Sequence, residues 1–83
     1  MRYSVGWVQL AEDKLANLWM GSRIASQITK ASDWFDANLA VRPNDIGEFR
    51  PGNLRIAFEG PLGILFFVDE DDKKVFVIDV WTI

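Results

Sequence analysis

The sequence of 83 residues contains no cysteine and no histidine. Without cysteine there is no disulfide, no thiol nucleophile and no thiolate metal ligand. Without histidine, the commonest metal ligand and the commonest general base at neutral pH are also missing. Any catalysis would have to use carboxylates, lysine, arginine, tyrosine or hydroxyl groups, and we expect neither a bound metal nor a cofactor.

Long apolar segments are missing as well. A membrane-spanning helix needs about 20 consecutive apolar residues, and no run in this chain approaches that length. The first seven residues, Met1 to Trp7, lack the apolar core of a signal peptide. These absences predict a cytoplasmic protein that makes no membrane contact.

Positive charge is scarce, since nine Lys and Arg stand against twelve Asp and Glu and give a net charge of −3. Residues 1–40 are neutral, so the whole excess of negative charge lies in residues 41–83. This balance argues against a broad basic surface for nucleic acid, because neutralised phosphates supply most of the affinity of such surfaces. A local basic site remains compatible with the composition.

Apolar material is plentiful. Hydrophobic residues make up 49% of the chain and include four tryptophans, which is typical of a folded globule rather than of a disordered segment. The length predicts a single domain over residues 1–83.

The last third of the chain contains three strand-like runs, Leu54–Glu59, Leu62–Val68 and Val75–Ile83, rich in β-branched and aromatic residues. Gly60-Pro61 and the charged segment Asp69–Lys74 separate them and are typical of turns. The pattern predicts an antiparallel meander. The middle run is apolar without alternation, so we expect it at the centre of the sheet.

The first half predicts a strand at Arg2–Val8 and a helical hairpin. Apolar residues recur at helical spacing in Leu10–Met20 and again in Ser22–Ala40, with Gly21 between them. Helices joined by so short a link must be antiparallel neighbours. Val41–Asn53 is rich in turn-forming residues and is predicted to be a linker.

The predicted order is β-α-α-β-β-β. One helical hairpin has one apolar face, so it covers one side of the sheet and leaves the other side open. We therefore predict an α+β fold of two layers, with the helical hairpin packed on one face of a mainly antiparallel four-stranded sheet.

The alternation of the strands offers two assignments of their faces. We assign Leu54/Ile56/Phe58 and Phe76/Ile78/Val80 to the helix side. The open side then carries Arg55, Ala57, Glu59, Val75, Val77, Asp79 and Trp81. Such a face is apolar enough to mark an interaction surface. The alternative is that the linker folds back over it.

The order of elements and several local segments together resemble the RelE/ParE family of toxins from bacterial type II toxin–antitoxin systems. The similar segments are Tyr3–Trp7, Ala11–Leu15, Ala37–Leu39 with Pro43 and Gly47-Glu48, Gly60–Asp69, and Val75–Val80. The resemblance covers the full length and implies an antitoxin as the partner. It implies one of two targets, mRNA on the ribosome or DNA gyrase.

The ribonuclease members of the family place basic side chains on the open sheet face to stabilise the charge that develops at the phosphate. At the matching positions this chain has Arg55, Ala57, Gly63 and Phe66, so a single cation matches. The resemblance therefore implies a toxin that binds its antitoxin over the open sheet face, with attenuated growth inhibition and without ribosome-dependent mRNA cleavage. The alternatives are a non-catalytic interaction domain, which could form a homodimer, and a residual ribonuclease.

Four residues are the candidates for a site. Arg55 is the best functional candidate, and its other interpretation is a surface arginine paired with Glu59 or Asp79. Arg50, in the linker, is the second candidate cation for catalysis, although a solvated loop charge is the alternative. Trp81 and Asp79 join Arg55 as candidate binding residues, and Trp81 alternatively caps the core.

The acidic run Asp69–Asp72 is the one sequence feature similar to a metal-binding cluster. It lacks the glycine and the distal glutamate of a calcium-binding loop. We therefore interpret it as a solvated hairpin turn.

Overall fold

Two helices lie on one side of a five-stranded sheet in the computed structural model, which describes residues 2–83. The elements follow one another in the order β1 (Ser4–Trp7), α1 (Gln9–Trp19), α2 (Ala25–Leu39), a 3-10 turn (Pro43–Asp45), β2 (Glu48–Arg50), β3 (Leu54–Glu59), β4 (Leu62–Asp69) and β5 (Lys74–Thr82). The strand order in the sheet is β1-β5-β4-β3-β2, with β1 parallel to β5 and every other pair antiparallel. The predicted α+β, two-layer fold is confirmed, whereas the predicted number of four strands is wrong.

The additional strand, β2, lies inside the segment predicted to be a linker. Its three residues pair with the first half of β3, from Arg50↔Leu54 to Glu48↔Ile56. Three residues are too few to show the alternation by which strands are recognised in a sequence. The linker does not cover the open side of the sheet, because Ile46 enters the same hydrophobic core as α2. The alternative that it folds back over that side is therefore wrong.

The helical hairpin forms as its apolar spacing predicts. In α2, the residues Ile28, Ala31, Phe35 and Leu39 recur at intervals of three and four and are all buried. Gly21 adopts a φ of +73°, a left-handed conformation that ends a helix at little cost for glycine. The second helix starts three residues later than predicted, since the Ser22 hydroxyl accepts a hydrogen bond from the Ile24 amide at 3.0 Å and closes a turn before the helix.

The core lies between α2 and the helix-facing side of the sheet. Its sheet residues come from the three long strands: Ala57, Leu62, Ile64, Phe66, Val75, Val77 and Val80. Ile64 and Phe66 are completely buried, as expected for the central strand β4. Within residues 2–83, no helix is both long enough and apolar enough to cross a membrane.

Glu70 ties three distant segments together at the end of the sheet where the β4–β5 turn lies. Its carboxylate accepts hydrogen bonds from the Tyr3 hydroxyl at 3.0 Å, from the Asn44 amide and from the Lys73 ammonium at 2.9 Å. These donors, with Asn44 first, lower the pKa of Glu70 from its usual 4.5 to about 2. The acidic run is thus a hairpin turn, as predicted, but one of its carboxylates connects the turn to Tyr3, just before β1, and to Asn44 of the linker.

The lowered pKa of Glu70 predicts a pH dependence of stability. A carboxylate whose pKa falls on folding adds stability above its unfolded pKa, and that stability is lost as the pH drops from about 4.5 towards 2. Glu70→Gln should therefore lower Tm at pH 7 and flatten the fall in Tm over that pH range. Thermal melts from pH 7 to pH 2 measure both effects.

The matched control is Asp71→Asn, because Asp71 lies in the same exposed turn and its side chain makes no hydrogen bond to any residue from 2 to 83. This variant should melt like the parent at every pH. Equal pH profiles for the Glu70 variant and the control would contradict a stabilising role for the cluster.

Candidate partner-binding face

The side of the sheet away from the helices is an apolar surface, which we call the open face. Strand pairing places its residues in three rows across β3, β4 and β5: Leu54, Phe67 and Phe76 in the first, Ile56, Leu65 and Asp79 in the second, Phe58, Gly63 and Trp81 in the third. Large exposed apolar surfaces are uncommon on proteins that have no partner. The open face is therefore the candidate site.

The assignment of the two sheet faces from sequence was wrong for most residues of β3 and β5. Val75, Val77 and Ala57 point to the helices and are buried, whereas Phe76 is 36% exposed and Phe58 is 56% exposed. The expectation that this face is apolar is nevertheless met, because both sets of side chains in β3 and β5 are largely apolar. Alternation alone could not choose between the two sets.

A β-bulge explains why Val80 did face the helices as predicted while Phe76 and Ile78 did not. The register shifts between Leu65 and Phe66, which pair with Asp79 and Val77, so Ile78 is an extra residue in β5. A bulge reverses the alternation beyond it. Val77 and Val80 are consequently both buried although three positions separate them.

Gly63 makes room for an aromatic pair at one end of the open face. The rings of Phe58 and Trp81 meet edge to face, with centroids 6.2 Å apart. A Cβ on Gly63 would lie 2.5 Å from the Trp81 ring and 2.9 Å from the Phe58 ring. Gly63 stands at the position where the ribonuclease members were expected to carry arginine, and here it lets Trp81 lie flat on the sheet. Trp81 is on the open side, as predicted.

Arg55 does not lie on the open face, so its predicted position is wrong. It shares a row with Phe49, Phe66 and Val77, on the side of the helices, and is only 9% exposed. Its Nη1 donates to the carbonyl oxygens of Ile46 at 3.3 Å and Gly47 at 3.4 Å.

The Arg55 guanidinium also stacks 3.9 Å from the centroid of the Phe49 ring. No carboxylate of residues 2–83 lies within ion-pair distance of it, so the alternative interpretation, a pairing with Glu59 or Asp79, is wrong as well. These contacts hold the loop before β2 against β3, and the sequence did not reveal them because β2 itself was not predicted.

The second candidate cation, Arg50, lies on the opposite side of the sheet from Arg55. Arg50 pairs with Leu54, a residue of the open face, and its Nη2 is 3.5 Å from Glu48. Because paired residues share a face, the structure does not bring the two arginines together.

Asp79, the remaining candidate, is bound to the first helix. Its Oδ1 accepts a hydrogen bond from the Lys14 ammonium at 2.8 Å, and this contact, with a further one from the Val80 amide, lowers the pKa of Asp79. Both partners are about half exposed, so the ion pair adds little to stability. Across the described residues no group of three or more acidic side chains could hold a metal ion.

The architecture is a helical hairpin on one side of a mixed five-stranded sheet, with an apolar open face. No family model matches the chain, and no curated protein matches its sequence. Solved structures do match its fold over nearly its whole length.

Three of these structures define the similarity. A chain of the toxin–antitoxin complex RelBE2 from Mycobacterium tuberculosis is 20% identical, with a TM-score of 0.77 and all of both chains covered. A chain of the chromosomal ParDE system from P. aeruginosa is 15% identical, with a TM-score of 0.75 and coverage of 98% of this chain and 96% of the other. A mutant of the E. coli toxin RelE in the free state is 17% identical, with a TM-score of 0.64 and coverage of 99% and 84%. The protein therefore has the RelE/ParE fold.

Proposed function

We propose that the protein is the toxin component of a type II toxin–antitoxin system and that its open face binds the antitoxin. Residues 1–83 would act as one toxin-like domain in the cytoplasm. The observation that carries the proposal is the apolar open face, on which Phe76 is exposed in the first row and Phe58 in the third. The fold supports it, because several of the similar structures are toxin–antitoxin complexes.

Growth inhibition in this proposal does not depend on ribosome-dependent mRNA cleavage. Cleavage of that kind needs several cations around one phosphate, and the two candidate arginines lie on opposite sides of the sheet. Arg55 is further committed to two carbonyl oxygens and an aromatic ring. The target left by the resemblance is DNA gyrase.

Two of the candidate binding residues enter the proposal differently. Trp81 would contact the antitoxin directly, since it lies on the open face beside Phe58. Asp79 would contact the antitoxin only after its hydrogen bond to Lys14 breaks, because its carboxylate accepts that hydrogen bond in the free protein.

A second candidate function is a non-catalytic interaction domain on the same fold. The burial of Arg55 as a structural residue favours it. Such a domain could pair with its own copy through the open face. Sedimentation of the purified chain distinguishes the two. A homodimer that forms through this face should persist at micromolar concentration, whereas a toxin without its antitoxin should sediment as a monomer.

The experiment that tests the proposal is growth after induced expression in a bacterial host, with and without the product of the adjacent gene. We expect expression of the chain alone to slow growth, with DNA synthesis falling before translation, and co-expression of the neighbour to restore it. If expression of the chain does not slow growth and the chain forms no complex with the product of the adjacent gene, the toxin proposal is wrong.

The residual-ribonuclease hypothesis is tested by Arg50→Ala, which removes an exposed side chain and should leave the fold intact. We expect the rate of translation after induction to match that of the parent within about twofold, since Arg50 lies on the opposite side of the sheet from Arg55 and a single cation does not stabilise the charge that develops at a phosphate. Arg55→Ala serves as the companion variant, with its stability measured first. If translation collapses with the parent and recovers with both variants, the ribonuclease hypothesis is right.

A further inference from the structure

A cavity of about 400 Å³ lies between α2, the linker and β3, and we call it the linker cavity. Its lining includes Trp34 of α2, Arg42 and Asp45 of the linker, and Ala57 and Phe58 of β3. Pockets that hold small ligands measure about 300–1,000 Å³. The linker cavity therefore has room for an organic molecule and not only for a single ion.

Two opposite charges line the linker cavity without neutralising each other. The Asp45 amide donates a hydrogen bond to the Arg42 carbonyl oxygen at 3.1 Å, across the 3-10 turn. Although the turn holds the two residues close together, their side chains form no ion pair with each other or with any other residue from 2 to 83. The second carboxylate at the cavity, Glu48, is already paired with Arg50. The cavity thus offers one cation and one anion to a ligand.

The Arg42 guanidinium is tied to α2 through Asn38. The Asn38 side-chain amide donates to the Trp34 carbonyl oxygen at 2.8 Å, and its Oδ1 accepts from Arg42 Nη2 at 3.2 Å. A guanidinium has five N–H donors in a planar fork that matches a carboxylate, so this one hydrogen bond leaves most of them for a ligand. The cavity therefore combines a positioned carboxylate-binding group with the aromatic side chain of Trp34.

The backbone of β3 adds a donor and an acceptor at the edge of the cavity. Pairing with β2 stops at Glu48↔Ile56, so the following residues of β3 have no strand beside them on this edge. The carbonyl oxygen of Ile56 lies against Gly47, and with the two-residue period of a strand the N–H and C=O of Phe58 face the same way. No turn, loop or cap of residues 2–83 hydrogen-bonds to these two groups. They remain available to a small polar ligand.

From this arrangement we infer that the linker cavity binds a free aromatic α-amino acid as its zwitterion. Arg42 receives the carboxylate, Asp45 receives the ammonium, and the ring of the ligand packs against Trp34 and Ala57. Such a ligand uses both charges of the cavity, whereas a simple amine or carboxylic acid uses only one. The inference does not rest on the proposed function, because the cavity lies at the edge of the sheet and the antitoxin is assigned to the open face.

The test titrates the full chain with L-phenylalanine and follows binding by calorimetry and by amide chemical shifts. We expect saturable binding with a Kd of about 1 mM or below, and a Tm that rises with the concentration of the ligand because only the folded chain binds it. Three related compounds each lack one group: phenethylamine the carboxylate, 3-phenylpropionate the ammonium, and L-alanine the ring. Each should bind about tenfold more weakly or worse.

Two variants assign the charges of the ligand to their partners. Arg42→Gln should weaken the binding of L-phenylalanine at least tenfold and leave that of phenethylamine unchanged, since phenethylamine has no carboxylate. Asp45→Asn should weaken L-phenylalanine equally and leave 3-phenylpropionate unchanged. A variant that merely unfolds would weaken every ligand alike. Arg23→Gln and Asp71→Asn make the same charge changes at exposed positions outside the cavity and should bind like the parent.

Three results would overturn the inference. The first is an absence of saturable binding of L-phenylalanine up to about 10 mM. The second is equal binding of L-phenylalanine and either singly charged compound, which would show that the cavity does not recognise a zwitterion. The third is equal binding of L-alanine, which would show that the ring makes no contact with Trp34. None of these results changes the expected complex with the product of the adjacent gene, so the proposed function is tested separately.

Discussion

Phe76→Lys is expected to weaken the complex with the antitoxin at least 100-fold while leaving the protein folded. Phe76 lies in a row of the open face between Phe67 and the edge strand β1, and it is 36% exposed in the free chain. A lysine there can direct its ammonium to solvent in the free protein. In the complex the same charge would be buried against apolar surface without a partner, at a cost of about 2.7 kcal/mol or more.

The control for this prediction is Leu10→Lys. Leu10 is an apolar residue of α1 that is 80% exposed and lies on the helical side of the molecule, away from the open face. It introduces the same charge change at a site outside the proposed interface. Titration calorimetry with the product of the adjacent gene measures both affinities, and equal losses for the two variants would show that the open face is not the binding surface.

Gly47→Ala is expected to destabilise the protein by about 3 kcal/mol or more. Two costs combine at this position. The φ of +79° is unfavourable for any residue with a Cβ, and the new Cβ would lie 2.5 Å from the carbonyl oxygen of Ile56. The chain cannot move away easily, because Ile46 is buried in the core and the Gly47 carbonyl accepts from Arg55. For a domain of this size the loss corresponds to a fall in Tm of roughly 12 °C or more.

Gly52→Ala separates the two costs. Gly52 has nearly the same φ, +81°, but a Cβ there would meet no atom within 4 Å. It should therefore cost about 1–2 kcal/mol, the conformational part alone. Denaturant unfolding of both variants gives the difference, and if the two lose equal stability, the contact between Gly47 and β3 contributes nothing.

The local elements could be predicted because their signals are local. The stripe of Ile28, Ala31, Phe35 and Leu39 has a helical period, and Gly21 sits where the helix must end. The two turns of the final meander contain residues that favour turns, and all three long strands lie within a few residues of their predicted bounds. The α+β fold and its similarity to RelE/ParE toxins followed from this order of elements.

The arrangement of the candidate site could not be predicted in the same way. The strands β3 and β5 each carry two apolar sets, so a one-residue change of register exchanges the faces. The bulge at Ile78 and the short strand β2 leave no pattern in the sequence. Arg55 was therefore placed on the open side, although pairing with Phe66 puts it beneath the loop before β2.

The sequence by itself determined the helices, the meander, the absence of cysteine and histidine chemistry, and the fact that one side of the sheet would be apolar and uncovered. These follow from residue types and from spacings of two to four residues, which neighbouring residues decide among themselves. Only the tertiary structure decided which side chains form the open face, that Arg55 stacks on Phe49, and that half of β3 is left without a neighbour. Those features depend on pairings between residues far apart in the chain, where packing against the helices selects one register from several that the local pattern allows.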